Sequence, residues 1–349
     1  MQFPHPHIPL IFNLFLLKIM TLNQFQQQIY TENKRRYKIS KNRIGFLLFS
    51  VCLSLAMLNL FGDVYSAIAR FIEPYFTAFI PQTTYYLLFN MVLYVSAIAL
   101  PFIIAIFGCK TGLKGIFPIK PRLTKNPVGY TFFVFGICLL LNMVLQLLFP
   151  WYNEIFSSDY IPYDSTTDIL LYYVFSAILP AIVEEFAFRG VCISALRPMG
   201  TKFAVITSAI LFGLCHVDPL QSLFAFLFGL LIGGAYVATG SIWPGVLLHL
   251  FNNSFAVFAE YGNYYIQAVC GYFIIGSIVY SLIYLFKYFR LPGRFPICVK
   301  DEKQPLLMGS GFTPLRAVFS SFWTYALMII YVLSFFARYL NVLFPELAL

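Results

Sequence analysis

Two adjacent glutamates, Glu184 and Glu185, occur in a run that is otherwise apolar enough to lie in a lipid bilayer. Ionisable groups at such positions normally face a protein interior or a wet cavity. Glu185 and Arg189 are four residues apart, which predicts an ion pair on one face of a helix. One residue turns a helix by about 100°, so Glu184 is free to face a cavity. A carboxylate kept from bulk water is a good proton acceptor, which indicates a general base.

Two histidines and an asparagine follow in the next apolar runs of the chain. His216 ends LFGLCH, while His249 and Asn253 are four residues apart in HLFNN and therefore share one side of a helix. Their donors could stabilise an oxyanion, or the histidines and Glu184 could hold a metal-bound water. Both alternatives predict attack of water on a carbonyl group. The HExxH spacing typical of zinc proteases is absent, so the sequence favours a mechanism without metal.

The composition is that of a membrane protein: 60% of the residues are hydrophobic, 11% are charged and the mean hydropathy is +0.79. Spanning a bilayer takes about 20 mainly apolar residues. Because the runs are long and do not alternate in polarity, they predict helices and an all-α, polytopic transmembrane helical bundle. We predict about nine spans, near 44–62, 83–108, 127–150, 169–196, 203–217, 220–237, 243–259, 262–286 and 317–337.

Lysine and arginine residues cluster in loops that fall on one side of the predicted bundle, and cytoplasmic loops retain such charge. The amino terminus is therefore predicted to be cytoplasmic and the carboxy terminus external. The net charge of +9 follows from these loops, so we expect no nucleic acid partner. Membrane lipids are the expected partners, with anionic head groups near the basic face. The basic clusters are 34–43, 110–125, 197–202 and 287–316.

The chain is predicted to contain one membrane domain. Residues 1–43 form a cytoplasmic or membrane-surface segment, whose apolar run is too short to span and fits a signal peptide poorly. Residues 44–349 are predicted to form a single transmembrane domain, in which 169–260 hold the chemically distinctive groups. The seven cysteines are unclustered and indicate neither a disulfide framework nor a CxxC metal site.

The spacing of these groups resembles three signature motifs of the CPBP intramembrane proteases. That family includes CAAX prenyl endopeptidases and bacterial immunity or bacteriocin-processing relatives. The motifs occur in the family's order on successive hydrophobic segments. They are EExxxR at Glu184, Glu185 and Arg189, FxxxH at Phe212 and His216, and HxxxN at His249 and Asn253.

The resemblance implies an intramembrane endopeptidase that hydrolyses a peptide bond in a membrane-associated or prenylated, CAAX-like substrate. It implies that Glu184 activates the attacking water with help from His216. His249 and Asn253 would then stabilise the oxyanion. The family has long been described as metalloproteases, so zinc stays open as a cofactor.

The same resemblance makes Glu185 and Arg189 supporting residues of the site. If a metal were used, its ligands would be Glu184, His216 and His249. The expected partner is a membrane-anchored peptide or protein, and the expected location is the plasma (inner) membrane of a bacterium.

Two other functions fit parts of the same pattern. A scaffold or immunity protein could keep these groups without using them for proteolysis. A proton-coupled transporter would also bury acids and histidines, but the chain has no inverted pair of broken helices. Loss of substrate cleavage in a Glu184→Ala variant would distinguish a protease from both.

Overall fold

The structure is a computed structural model that describes residues 10–111, 127–150, 163, 165–289 and 312–343. These residues form helices and no β-strand, so the all-α prediction is confirmed. The helices are α1 (Leu10–Leu55), α2 (Gly62–Phe76), α3 (Gln82–Cys109), α4 (Pro127–Leu148), α5 (Thr166–Met199), α6 (Thr201–Leu214), α7 (Pro219–Thr239), α8 (Trp243–Tyr261), α9 (Tyr264–Phe289), α10 (Pro314–Phe319) and α11 (Phe322–Leu343).

Seven helices of the described residues are long and apolar enough to cross a membrane, namely α1, α3, α4, α5, α7, α9 and α11. The chain is thus a multi-pass membrane protein. The predicted span 203–217 is helical only as far as Leu214, the predicted span 243–259 is helical throughout, and neither is among the seven. At about 1.5 Å per residue, α6 is shorter than the roughly 30 Å hydrocarbon core. The count of nine spans and the orientation of the termini stay predictions.

Helix α1 extends far beyond the segment predicted to span near 44–62. It begins at Leu10 and continues through residue 43, where the sequence suggested a boundary between the leading segment and the membrane domain. Glu32 pairs with Arg35 and Arg36 on this helix at 2.8 and 2.7 Å, at i,i+3 and i,i+4 spacing. These contacts support the helical backbone through a polar region that hydropathy alone would not assign to a helix.

Helix α2 has 15 residues and packs beside the start of α3. The Tyr85 hydroxyl donates a hydrogen bond to the Ala69 carbonyl at 2.8 Å. The Tyr86 hydroxyl donates to Glu73 Oε2 at 2.6 Å. These polar contacts attach the short helix to its neighbour and so fix one end of α3.

Helices α6 and α7 approach closely because a glycine lies at their contact. A Cβ at Gly213 would lie 2.8 Å from the Ser222 carbonyl oxygen. Asp218 caps α7 by accepting a hydrogen bond from the backbone N–H of Gln221 at 2.7 Å, and Pro219 occupies the first turn, where its missing N–H costs nothing. The chain therefore reverses direction within a few residues between the two helices.

Within the described residues, three π-helical turns interrupt the α-helical hydrogen bonding. They are Ala56–Leu60 after α1 and Val174–Ile178 and Phe186–Ile193 within α5. Such turns add a residue to one helical repeat and are frequent at functional sites. Each one contributes side chains to the same internal cavity: Leu58 and Asn59, Phe175 and Ser176, and Phe188.

Candidate active site

The ion pair predicted on α5 is present and fully enclosed. Arg189 Nη1 lies 2.8 Å from Glu185 Oε1, and the two side chains are 1% and 0% exposed. The Arg189 guanidinium also lies over the Phe212 ring, 4.4 Å from its centroid, where the electron-rich ring face attracts a cation. This arrangement holds α5 against α6 from behind the cavity.

Glu185 makes a second contact that the sequence pattern did not predict. Its Oε1 lies 3.1 Å from Nδ1 of His249 on α8. An ionised carboxylate only accepts hydrogen bonds, so Nδ1 is the donor and carries a proton. Glu185 therefore fixes both the orientation of the His249 ring and the nitrogen that is protonated.

Glu184 is turned about 100° around α5 from Glu185 and lines the cavity. Its side chain is 12% exposed, and its Oε2 lies 3.7 Å from His249 Nε2. Among the described residues, Oε2 is buried and has no hydrogen-bond partner. The other oxygen, Oε1, accepts a hydrogen bond from the Tyr94 hydroxyl. One oxygen of Glu184 is thus held by Tyr94, and the other has no such contact among the described residues.

His216 lies just beyond the end of α6. Its Nδ1 is 2.9 Å from the Phe212 carbonyl oxygen, which only accepts, so Nδ1 carries the proton and Nε2 of the neutral ring is an acceptor. The next residue, Val217, is buried and has φ 58°, a left-handed conformation that is uncommon for a β-branched side chain. Sparsely populated backbone conformations of this kind cluster at functional sites.

Asn253 follows His249 by one turn of α8 and lines the same cavity. Its Oδ1 accepts a hydrogen bond from Nδ2 of Asn252 at 3.2 Å. Because that contact occupies the carbonyl end of the amide, the NH₂ end of Asn253 remains as a donor.

The structure brings the four predicted site residues to one cavity of about 600 Å³, lined by Glu184, His216, His249 and Asn253. The supporting residues Glu185 and Arg189 lie behind its wall and are not among its lining residues. Tyr94 is a lining residue that the sequence did not predict. It is one of 24 tyrosines and has no distinguishing spacing, so the sequence held no signal for it.

Zinc sites in proteins have at least three donor side chains around one point. In the part of the chain that the structure describes, no group of three His, Cys, Asp or Glu residues is arranged to hold a metal ion. The possible ligand set of Glu184, His216 and His249 is therefore not assembled as a metal site. We derive no chemical step through a metal.

Comparison with known proteins identifies the segment that carries this site. It matches a family model described as type II CAAX prenyl endopeptidase Rce1-like. The match covers residues 166–255. The matched segment contains all three motifs, so the resemblance expected from the sequence is confirmed there.

A curated relative covers a similar fraction of the chain. Over 88 residues the chain is 31% identical to "Putative membrane peptidase YdiL" of Bacillus subtilis (strain 168). The match covers 25% of this chain and 36% of that protein. No solved structure matches the chain.

Proposed function

We propose that this protein is an intramembrane endopeptidase that hydrolyses a peptide bond in a membrane-anchored substrate. The observation that carries the proposal is the position of Glu184, which lines a cavity shared with His216, His249 and Asn253 and whose buried Oε2 has no hydrogen-bond partner among the described residues. The Rce1-like match of residues 166–255 and the similarity to YdiL support the same reaction class.

The first step is activation of water. Glu184 Oε2 takes a proton from a water molecule as the water oxygen forms a bond to the carbonyl carbon. Neutral His216 assists by accepting a hydrogen bond from the same water at Nε2, the nitrogen left free by the contact of Nδ1 with Phe212. Glu184 lies on α5 and His216 just beyond the end of α6, so the two groups reach the water from different elements of the cavity wall.

The second requirement is stabilisation of the oxyanion. Asn253 supplies an N–H donor from its amide, and His249 supplies one from Nε2 when its ring is protonated. Two carboxylates, Glu184 and Glu185, lie beside one guanidinium, that of Arg189. His249 contacts both acids, with Nδ1 3.1 Å from Glu185 Oε1 and Nε2 3.7 Å from Glu184 Oε2.

The last step breaks the carbon–nitrogen bond. Glu184 returns its proton to the amide nitrogen, the oxyanion re-forms the carbonyl as the carbon–nitrogen bond breaks, and the products are an amine and a carboxylic acid that keeps the second proton of the water. The proton, the water oxygen and the leaving nitrogen are all accounted for within the cavity. Proteins lacking the ionised carboxylate at position 184 would lose both the base and the acid of the reaction.

The substrate that we propose is a membrane-associated chain, with a prenylated CAAX-like tail as the first class to examine. The description of the matched family supports this choice. The location that we propose is the plasma membrane of a bacterium, with bilayer lipids as the surrounding partners and no nucleic acid.

The experiment uses purified full-length protein in liposomes and two internally quenched probes, a farnesylated peptide ending in a CAAX-like tail and a peptide with a transmembrane anchor. Wild type should cleave at least one probe, and Glu184→Gln should reduce the rate by about 10²- to 10⁴-fold, the usual contribution of a general base. Glu73→Gln is the matched control, because Glu73 is hydrogen-bonded by Gln82 and Tyr86 away from the cavity. Cleavage by Glu184→Gln at the wild-type rate, or no cleavage of either probe, would overturn the proposal.

A further inference from the structure

Tyr94 is the only residue of the described chain that donates a hydrogen bond to Glu184. It lies on α3, 90 residues earlier in the sequence. Its ring packs edge-on against Phe175 of α5, with centroids 6.0 Å apart and an interplanar angle of 82°. Helix α3 thus reaches the candidate base through a side chain that none of the three sequence motifs contains.

The contact is directed at one of the two carboxylate oxygens. Tyr94 holds Oε1 of Glu184, while Oε2 stays free of hydrogen bonds among the described residues and lies 3.7 Å from His249 Nε2. A carboxylate rotates readily about its terminal bond, because that torsion is broad. A hydroxyl fixed on one oxygen therefore determines where the second oxygen points.

We propose that Tyr94 is a positioning residue of the active site, which orients Glu184 so that Oε2 faces the attacking water. This inference rests on the proposed peptidase function and adds a residue from outside the family motifs to it. The hydroxyl holds Oε1 of Glu184 in place, since hydrogen bonds to carboxylates are among the stronger ones. It does not touch the substrate's reacting atoms.

A purely structural role of Tyr94, in which only its ring packs against Phe175, predicts a different effect of removing the hydroxyl. If only the ring mattered, its contact with Phe175 would survive removal of the hydroxyl and catalysis would be unchanged. Tyr85 on the same helix offers a matched comparison, because its hydroxyl also makes a buried hydrogen bond, to the Ala69 carbonyl at 2.8 Å, at a site away from the cavity.

The test compares wild type, Tyr94→Phe, Tyr85→Phe and Glu184→Gln as full-length proteins in liposomes, with the probe that wild type cleaves. Tyr94→Phe should lower kcat by about 10- to 100-fold, the range expected for a lost hydrogen bond to a charged group, with KM within twofold of wild type. Tyr85→Phe should leave kcat within twofold. The thermal unfolding temperatures of the two phenylalanine variants should fall by similar amounts.

The outcomes separate the two proposals. If Glu184→Gln is inactive and Tyr94→Phe retains the kcat of Tyr85→Phe, the positioning role is wrong and the peptidase function stands. The positioning role is equally wrong if Tyr94→Phe changes KM alone. If Glu184→Gln cleaves as fast as wild type, the peptidase function fails and the role of Tyr94 fails with it. Should Tyr94→Phe fold poorly, Tyr94→Gln, which restores a donor, must recover part of kcat for the proposal to survive.

Discussion

Nδ1 of His249 lies 3.1 Å from Oε1 of Glu185, so two helices of the bundle are joined by a buried hydrogen bond between an imidazole and a carboxylate. The same oxygen lies 2.8 Å from Arg189 Nη1. Glu185 is therefore shared by a guanidinium from its own helix and a ring from α8. Its adjacent partner, Glu184, is left to face the cavity.

Replacing Glu185 by Gln should destabilise the protein strongly. The substitution leaves the Arg189 guanidinium buried without its counter-ion, and breaking a buried pair in this way typically costs about 3–5 kcal/mol. Thermal unfolding in detergent should show a much lower midpoint than wild type. The double variant Glu185→Gln/Arg189→Met should recover part of that loss, because it removes both charges. A wild-type midpoint for Glu185→Gln would contradict the ion pair.

Replacing the neighbouring Glu184 by Gln should abolish cleavage but leave the stability of the fold nearly unchanged. Glu184 Oε2 has no hydrogen-bond partner among the described residues, so replacing it breaks no hydrogen bond there. The glutamine side chain keeps an oxygen that can accept the hydrogen bond from the Tyr94 hydroxyl. We expect the free energy of unfolding to stay within about 1 kcal/mol of wild type, a small effect for a single substitution, while probe cleavage is lost. Unfolding midpoints measured beside those of Glu185→Gln give the comparison. Equal destabilisation by both variants would show that the two acids do not differ in role.

The two adjacent asparagines of α8 should differ in their effect on turnover. Asn253→Ala removes the proposed oxyanion donor and should lower kcat by about 10²- to 10³-fold with little change in KM. Asn252→Ala removes only the contact at 3.2 Å that orients Asn253, so we expect a loss of a few-fold. Steady-state kinetics on the cleaved probe measure both. The reverse order of the two effects would argue against Asn253 as the donor.

Exhaustive chelation should leave the activity unchanged, since no three-residue donor group for a metal is present in the described part of the chain. Purified protein would be treated with EDTA and 1,10-phenanthroline, freed of both, and assayed on the cleaved probe. Buffer-treated protein carried through the same steps is the control. Activity that disappears and returns only with added zinc would assign a metal to the reaction.

Local spacing was sufficient to predict part of this site. The Glu185–Arg189 pair follows from i,i+4 geometry, which depends only on the helix. The motifs also indicated that Glu184, His216 and His249 belong together, and they share one cavity. What the sequence did not reveal depends on tertiary packing.

Tyr94 and the His249–Glu185 contact illustrate that limit. Tyr94 meets Glu184 across 90 residues of chain, and nothing in the sequence of α3 marks one tyrosine among several. His249 was expected to face an oxyanion, but which of its nitrogens does so is set by Glu185. Likewise, hydropathy predicted a span near 203–217, whereas the helix ends at Leu214 ahead of the turn that holds His216.

A glycine of α8 should be essential to the site because it leaves room for Glu185. A Cβ at Gly245 would lie 2.6 Å from Glu185 Oε2 and 2.7 Å from Ile232 Cγ2. Gly245→Ala should therefore displace the carboxylate from His249 and lower both the unfolding midpoint and kcat. The matched control is Gly234→Ala on α7, where a Cβ meets nothing within 4 Å. There, alanine should leave activity intact and raise helix stability by up to about 1 kcal/mol. Equal behaviour of the two alanine variants would mean that α8 shifts without disturbing Glu185.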